Sequence, residues 1–269
     1  MAEDDKQHES PVLAARDVTF GYTPDSTVLR SVSCELRPGR LTALIGPNAG
    51  GKSTLLNLLL GQLQPTQGSI QLLGDEVSQM HPPSRAALMS YVPQRGQVSF
   101  AFTVRQIVKM GRHALATSEN AVDSAIEQAD LQSLADRVYH ELSVGQQQRV
   151  VLARAIAQSI DQGAVMLLDE PVSAMDLWHV HHTIANLRRL ADEGLAVLVV
   201  LHDLNLAAQY ADDVWLLSCG EIASQGPWQD ILKPEILEPI YRVKLTTMQP
   251  ADADRPVLVV RGSDTMRSR

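Results

Sequence analysis

One short segment constrains the fold of this chain more than any other. An apolar run, Leu41–Ile45, is followed by the pattern G-x-x-x-x-G-K-[ST] and then by strong helix formers from Lys52 to Leu60. In a strand–turn–helix unit of this kind, small residues let backbone N–H groups surround phosphate oxygens, and the positive end of the helix dipole points at them. The residues predicted to bind phosphate are Gly46, Pro47, Asn48, Ala49, Gly50, Gly51, Lys52, Ser53 and Thr54.

Two side chains of this loop have predicted roles of their own. Lys52 is expected to reach the β and γ phosphates of a nucleotide, and the Ser53 hydroxyl is expected to ligate Mg²⁺. A purely structural glycine-rich turn is the alternative, but the flanking strand and helix favour phosphate binding. The pattern does not distinguish kinases, GTPases, helicases and transporter ATPases.

Composition excludes several other classes. The 269 residues carry a net charge of -8, which argues against a basic face for nucleic acid, so no nucleic-acid partner is predicted. The two cysteines, Cys34 and Cys219, lack metal-ligand spacing and fit a reducing compartment. Each apolar run is far shorter than the roughly 20 residues of a membrane-spanning helix. Any membrane role is therefore expected to depend on a partner chain.

The order of the predicted elements indicates an α/β fold. Strands alternate with helices in the second half, which implies parallel pairing through crossovers, and a mainly helical stretch interrupts the core from about residue 97. The end of the chain, from Ala251, is partly polar and is expected to fray. The predicted strands are Val12–Phe20, Val28–Leu36, Leu41–Ile45, Val165–Leu168 and Ala196–Leu201, with a hairpin at Val214–Ser218 and Glu221–Ser224. The predicted helices are Lys52–Leu60, Val104–Met110, Ala121–Ala129, Gln146–Gln158, Leu177–Asp192 and Leu204–Tyr210.

Polar residues at the ends of three apolar runs are candidates for the chemistry. Asp169 and Glu170 follow a buried strand, where Asp169 can hold Mg²⁺ and Glu170 can orient and polarise the attacking water. His202 follows another strand, at the position of a γ-phosphate sensor, and Gln94 follows a third and can contact Mg²⁺ or the water. A solvated acidic loop, a structural histidine and an ordinary loop glutamine are the alternatives.

The stretch Leu142–Arg149, with sequence LSVGQQQR, resembles the signature motif of ABC transporter ATPases. The phosphate loop, Gln94, Asp169-Glu170, the run Ser173–Asp176 and His202 complete the motif set in the family's order, and Tyr22 matches the aromatic residue that stacks on adenine. The resemblance spans about residues 12–245, and kinases, GTPases and helicases lack the signature stretch.

The resemblance implies a P-loop NTPase core with a parallel sheet, an N-terminal antiparallel β subdomain and an inserted α-helical subdomain. It places a single ATPase domain at 12–249, with the helical subdomain at about 97–158, and a C-terminal tail at 250–269. It also implies ATP hydrolysis coupled to transport, with ATP and Mg²⁺ as cofactors and with Ser53, Gln94 and Asp169 as the candidate metal ligands.

In that family two copies face each other head to tail. ATP on the phosphate loop of one copy is covered by Ser143, Gly145 and Gln146 of the other, and Asp176 helps to link the two sites. Three residues depart from the family pattern: Ala49 replaces a glycine, Val144 replaces the first signature glycine, and Val172 replaces a threonine. All three are predicted to be tolerated, Ala49 on the condition that its φ is negative.

Local strings narrow the subfamily. Phe102–Arg112 and Leu201–Ala208 resemble the importer ATPases for iron chelates, heme and cobalamin. Asp176–His179, followed by His181–Thr183, is more similar to the heme importers, and it contains the histidines at 179, 181 and 182. These histidines are attributed to an exposed helix face, because cargo does not pass through the ATPase. Heme import is therefore predicted, with ferric siderophore or cobalamin import and a soluble, non-transport ABC ATPase as alternatives. Predicted partners are a second ATPase copy, two multispanning permease subunits and a periplasmic or extracellular solute-binding protein, at the cytoplasmic face of the inner membrane.

Overall fold

A computed structural model describes residues 10–23, 25–94, 96, 100–251 and 255–261. Its strands are β1 Leu13–Thr23, β2 Ser26–Leu36, β3 Leu41–Ile45, β4 Gln67–Leu72, β5 Asp75–Glu76, β6 Met89–Val92, β7 Val165–Leu168, β8 Ala196–Val200, β9 Asp213–Ser218, β10 Glu221–Pro227, β11 Lys244–Met248 and β12 Val257–Arg261. Its α-helices are α1 Lys52–Leu59, α2 Pro82–Leu88, α3 Val104–Met110, α4 Glu119–Gln128, α5 Val144–Ser159, α6 Leu177–Asp192, α7 Leu204–Tyr210, α8 Trp228–Ile231 and α9 Pro234–Tyr241.

The central sheet has the strand order β10-β9-β3-β8-β7-β6. Neighbours from β9 to β6 pair in parallel, and β10 joins β9 as an antiparallel hairpin. Strands β3, β7 and β8 are buried at every position, as expected for parallel strands covered on both faces. Because the strands run in parallel, the residues after β3, β6, β7 and β8 meet at one edge, where open α/β sheets bind ligands.

The first two long strands belong to a separate antiparallel sheet with the order β2-β1-β4-β5. Its apolar face packs on α1 and on the central sheet, in a core that includes Leu29, Leu55 and Leu198. This arrangement confirms the expected α/β core with an N-terminal antiparallel β subdomain.

The helical insertion contains α3, α4 and α5, whose inner faces share one apolar core with the central sheet. Thr103 caps α3 and Ser143 caps α5, each in a reciprocal pair with the glutamine three residues on. Residues 97–99, at the predicted start of the insertion, lie outside the described residues. Helices α4 and α5 begin two residues before their predicted starts, because Ser118 and Ser143 are their N-caps.

Within the tail expected to fray, Val257–Arg261 form strand β12, whereas residues 252–254 and 262–269 lie outside the described residues. Strand β12 pairs with β11, and Leu258 is buried. The Asn205 side chain on α7 holds β12 from both sides, accepting from the Leu258 N–H at 2.7 Å and donating to the Leu258 carbonyl at 3.2 Å. Sequence periodicity missed this strand because its pairing and its contact with α7 are both non-local. Among the described residues, no helix combines the length and the apolarity needed to cross a membrane.

The two cysteines are predicted to differ in reactivity. Cys34 is buried and Cys219 is exposed. Burial first, and then the neighbouring charge of Glu35, raise the pKa of the Cys34 thiol from 9.0 to about 12. A disulfide-exchange reagent at neutral pH should modify Cys219 quickly and Cys34 only upon unfolding. Rapid modification of both thiols in the native chain would contradict this.

The same shift predicts a loss of stability in alkali. A raised thiol pKa favours the neutral form in the folded state, so its contribution is fully present below pH 9.0 and is lost as pH rises towards about 12. The free energy of unfolding should therefore fall over this interval, and it should fall less in Cys34→Ala, although that variant starts from a lower value because it leaves a cavity. Urea unfolding at a series of pH values measures the difference, with Cys219→Ala as the matched control.

Candidate functional site

The glycine-rich loop joins the end of β3 to the start of α1, and two of its glycines are required by local geometry. Gly46 has φ 146°, and a β-carbon there would lie 2.0 Å from the carbonyl oxygen of Leu217. Gly51 is the N-cap of α1 with φ 99°, and a β-carbon there would lie 2.7 Å from Leu29. These contacts hold the loop against both the β9 strand and the N-terminal sheet.

Ala49 does not meet the condition under which its β-carbon is harmless. Its φ is 59°, in the left-handed region, whereas the next residue, Gly50, is not among the positive-φ residues. Position 49 therefore has alanine although its backbone conformation favours glycine. Position 50 has glycine although its backbone conformation is available to any L-residue. The left-handed region costs a residue with a β-carbon about 1–2 kcal/mol, so Ala49 is accommodated with strain.

Replacing Ala49 with glycine is predicted to relieve that strain. We expect Ala49→Gly to raise the melting temperature by roughly 2–4 °C, the shift that about 1 kcal/mol gives in a chain of this size. Gly50→Ala is the matched control, because a β-carbon there would lie 3.0 Å from the Pro47 carbonyl oxygen and is expected to lower stability. Thermal unfolding followed by circular dichroism measures both, and a lower melting temperature for Ala49→Gly would contradict the assignment of strain.

Lys52 lies folded onto its own loop. Its Nζ donates to the carbonyl oxygens of Gly46 at 2.8 Å and Pro47 at 2.9 Å. Burial lowers the pKa of the Lys52 ammonium, and the charges of Glu170 and Asp169 act in the opposite direction. The ammonium is thus buried near loop carbonyls and two carboxylates. We expect it to exchange its contacts with the carbonyls for contacts with a phosphate, which is more strongly negative.

Tyr22 stands beside the same loop, at the end of β1. Its hydroxyl and the Thr54 hydroxyl are 3.3 Å apart, and its ring meets Phe20 edge to face at 5.0 Å. The ring is 61% exposed, so a planar ligand has access to one face. The contact of Tyr22 with adenine stays a prediction.

Asp169, directly after β7, carries an unsatisfied acceptor. It is only 4% exposed, and its Oδ1 has no hydrogen-bond partner among the described residues. Burial raises the pKa of the Asp169 carboxyl, and a hydrogen bond from Ser53 acts against it. A buried carboxylate oxygen beside a serine hydroxyl is a hard oxygen donor set of the kind Mg²⁺ takes. No cluster of three or more metal-ligating side chains occurs in the described ranges, and Mg²⁺ commonly combines few protein ligands with phosphates and water.

Glu170 is held by two partners that sequence reasoning placed separately. His202 Nε2 lies 2.5 Å from its Oε1, and Gln94 Nε2 donates to its Oε2 at 2.8 Å. Its backbone has φ 49°, and its carbonyl oxygen accepts from Gln148 Nε2 at 3.3 Å. The ends of β6, β7 and β8 therefore converge on one carboxylate, whose orientation is fixed from both sides.

A cleft of about 420 Å³ lies in front of this group. The structure brings the phosphate loop together with Gln94, Glu170 and His202 around it. The lining residues are Val28, Asn48, Ala49, Gly50, Gly51, Lys52, Ser53, Thr54, Gln94, Glu170 and His202. Four predicted site residues do not line this cleft but contact Thr54, Lys52 or Ser53, which do: Tyr22, Gly46, Pro47 and Asp169. Ser143, Gly145, Gln146 and Asp176 do not line it either, and they lie at the starts of α5 and α6.

Ser143–Gln146 form the start of α5. The Ser143 hydroxyl accepts from the Gln146 N–H, and the Gln146 side chain accepts from the Ser143 N–H at 3.0 Å. A β-carbon at Gly145 would lie 2.7 Å from the Ala174 carbonyl oxygen, which explains the glycine by close approach of the loop before α6. Val144 is 67% exposed at the first turn, and its side chain is free of the core.

Sequence reasoning missed two residues near the site. The Tyr241 hydroxyl, on α9, is buried without a hydrogen bond of normal geometry to any described residue and faces the backbone N–H of Gly46. Burial raises its pKa to about 12, and the Gly46 N–H acts against that shift. Gln148 supports Glu170 from α5. Tyr241 lies outside every predicted motif, and Gln148 lies in the stretch Leu142–Arg149 without a predicted role, because both contacts join distant segments.

Comparison with known proteins agrees with this geometry. The ABC transporter family model matches residues 29–173. The Hemin import ATP-binding protein HmuV of Pseudomonas entomophila is 38% identical, over 88% of this chain and 95% of that protein. The protein of the same name from Gloeobacter violaceus is 38% identical, over 88% of this chain and 90% of its own length.

A solved structure shares the fold over nearly the whole chain. It is an inward-facing conformation of a transporter classed as metal-chelate type ABC, with TM-score 0.79 and 28% identity, covering 96% of this chain and 100% of that one. The phosphate loop, the acidic pair after β7 and the family match agree. This chain belongs to the ABC transporter family, as one of its ATP-binding, ATP-hydrolysing subunits.

Proposed function

We propose that Glu170 activates the water that attacks ATP in this chain, while Lys52 and Ser53 hold the phosphates. The observation that carries this proposal is the fixed carboxylate of Glu170, set between Gln94 at 2.8 Å and His202 at 2.5 Å and facing the phosphate loop. A carboxylate oriented in this way can accept a proton from water as the water attacks the γ-phosphorus, while the bond to the bridging oxygen breaks and ADP leaves with its electron pair. His202 then stands where it can sense the γ-phosphate.

Mg²⁺ would be held by Ser53, Asp169 and Gln94, directly or through water. The buried Asp169 Oδ1 and its raised pKa support this assignment, because a cation there would offset the desolvation of the carboxylate. When bound, the ion neutralises charge on the β and γ oxygens. Tyr22 is proposed to stack on adenine, and residues 46–54 to wrap the phosphates.

A second copy is proposed to complete the cleft. Ser143, Gly145, Gln146 and Asp176 do not line the cleft of their own chain. Ser143 is the N-cap of α5, and a helix N-terminus with a serine suits a γ-phosphate. A head-to-tail homodimer would cover each nucleotide with this stretch. Closure on ATP and release after hydrolysis would supply the motion.

The cargo is proposed to be hemin. Support comes from relatives named as hemin import ATP-binding proteins, such as those of Pseudomonas entomophila and Gloeobacter violaceus, each 38% identical. Ferric siderophore and cobalamin are the alternative cargoes. Uptake of labelled hemin should fall to background in cells lacking only this chain, and wild-type chain should restore it while Glu170→Gln should not. Unchanged hemin uptake with lost siderophore or cobalamin uptake would reassign the cargo.

Two multispanning permease subunits are proposed as the membrane partners. A periplasmic or extracellular solute-binding protein is proposed to deliver the cargo. This chain is proposed to lie at the cytoplasmic face of the inner membrane. A groove of about 470 Å³ between the core and the helical insertion suits a permease segment, and its lining includes Leu60, Arg85, Tyr91, Met110, Gly111 and Arg154. Met110 is 45% exposed there, and burial lowers the pKa of Arg154.

The residues expected to contact the permease are Gln94 and the stretch Phe102–Arg112. Met110 and Gly111 of that stretch line the groove, while Gln94 lines the nucleotide cleft. Affinity purification from detergent-solubilised membranes should recover a multispanning protein with the wild-type chain and much less with Met110→Glu. Recovery of a soluble partner alone would favour a non-transport ABC ATPase.

A further inference from the structure

Helix α6 begins with a side-chain arrangement that ordinary helix capping does not require. Asp176 is the N-cap and accepts from the His179 N–H at 2.9 Å, which is the usual cap bond. The imidazole of His179 adds a second contact, with Nδ1 at 2.9 and 2.8 Å from the two Asp176 carboxylate oxygens. The backbone bond already caps the helix, so the ring contact fixes the Asp176 side chain itself.

The opposite side of the His179 ring faces the helical insertion. Its Nε2 lies 3.6 Å from Oδ2 of Asp130, just beyond the end of α4. Trp178 meets the ring edge to face at 4.8 Å. His179 is thus placed between two carboxylates that belong to different parts of the fold.

Asp130 is itself fixed by α5. The buried Arg149 Nη1 donates to the Asp130 carbonyl at 2.6 Å and to its carboxylate at 3.0 Å, and to the Ala129 carbonyl at 3.1 Å. Asp130 also has φ 52°, so its backbone is set at the helix end. The carboxylate that meets His179 is therefore attached to α5, the helix that begins at Ser143.

The contacts join the loop Ser173–Asp176 to α5 at two points. One turn upstream on α5, Gly145 lies against the Ala174 carbonyl, in the loop Ser173–Asp176. The loop therefore touches the start of α5 directly and is tied to Arg149 of the same helix through His179 and Asp130. A displacement of the helical insertion would move both attachments together and would carry Asp176 with it.

We propose that His179 is a positioning residue that fixes Asp176 to the helical insertion, so that the start of α5 and the loop Ser173–Asp176 move as one unit. This rests on the proposed function, in which both segments meet the second copy. Without the His179 link, Asp176 would keep its cap bond but would lose its fixed position relative to Ser143. The expected consequence is slower turnover with unchanged nucleotide affinity, because the cleft residues are untouched.

The contact is tested first without nucleotide. Nitrogen NMR of the histidine rings should show the His179 Nε2 resonance shifting in Asp130→Asn, with the His182 resonances unchanged as the internal control. His182 lies one turn along α6 and stacks on Trp178 at 4.9 Å. An unchanged His179 resonance would overturn the link, whether or not the chain hydrolyses ATP.

Steady-state ATPase assays of the full-length chain test the consequence. His179→Asn keeps a donor near Asp176 but does not reach Asp130, and we expect about a three- to tenfold lower kcat with unchanged KM, the range in which mutations along coupled networks act. Asp130→Asn should give the same loss, and the double variant no further loss. His182→Gln should match the wild type.

The possible outcomes distinguish the positioning role of His179 from the proposed catalytic role of Glu170. The positioning role would be overturned by additive losses in the double variant, or by a raised KM or an unchanged kcat in His179→Asn. These results would leave the catalytic role standing as long as wild-type turnover is well above that of Glu170→Gln. Wild-type turnover no greater than that of Glu170→Gln would instead remove the proposed catalytic function. A melting temperature of His179→Asn far below that of the wild type would assign the loss to folding, and Asp130→Asn then decides, since it leaves the Asp176 cap intact.

Discussion

Replacing Glu170 with glutamine is expected to lower kcat for ATP hydrolysis by about 10²–10⁴-fold, the usual contribution of a positioned general base. Glutamine keeps the volume of the side chain and can still accept one hydrogen bond, but it cannot take the proton of the attacking water. ATP affinity should stay within a few-fold of wild type, because Lys52 and Ser53 are unchanged. Phosphate release and equilibrium ATP binding, measured on the same preparation, separate the two effects.

Two further variants sharpen this prediction. His202→Ala removes the partner at 2.5 Å from Glu170 and should also slow turnover, since the carboxylate loses one of its two fixing contacts. Glu193→Gln is the matched control, because that exposed carboxylate pairs with Arg189 on the surface of α6 and lies outside the nucleotide cleft. A Glu170→Gln chain with wild-type turnover would exclude Glu170 as the base and would direct attention to Asp169.

Lys52→Ala is expected to weaken ATP binding by about 10²-fold. Hydrogen bonds to charged groups contribute about 1.5–3 kcal/mol each, and a tenfold change in affinity corresponds to about 1.4 kcal/mol. In this structure the same ammonium donates to the carbonyls of Gly46 and Pro47 at 2.8 and 2.9 Å. Its loss should therefore affect the nucleotide-bound state far more than the free chain.

Calorimetric titration with ATP and Mg²⁺ measures the affinity, and the shift of melting temperature by saturating ATP gives an independent reading. Lys233→Ala, at the exposed N-cap of α9, is the control for loss of one positive charge. If Lys52→Ala bound ATP as tightly as the wild type, the phosphate-loop assignment would be wrong. If its nucleotide-free form unfolded, Lys52→Met would be compared instead, since it preserves the buried stem.

Regular elements were the most predictable part of the fold. Strands β3 and β7 and helices α3, α6 and α7 have the bounds expected from apolar runs and caps. The features that were predicted wrongly depend on contacts between distant segments or on backbone conformation. Strand β12 is stabilised by β11 and Asn205, and the left-handed φ of Ala49 is imposed by the loop between β3 and α1.

The candidate site was predicted residue by residue, but its internal contacts were not. Motif spacing places Gln94, Glu170 and His202 at the ends of three strands, and parallel pairing brings those ends to one edge. Motif spacing does not show which of these three side chains contact one another. That both Gln94 and His202 contact the Glu170 carboxylate follows only from the arrangement of β6, β7 and β8.

The sequence by itself determined the phosphate loop, the acidic pair, the signature stretch and the family they indicate, because each depends on residue types at short, fixed spacings. Only the tertiary structure decided that Ala49 is strained, that the start of α5 does not line the cleft at the phosphate loop of its own chain, and that His179 joins Asp176 to Asp130. The physical reason is distance along the chain. Local patterns fix elements and caps, whereas contacts between residues tens of positions apart depend on how the sheets and helices pack.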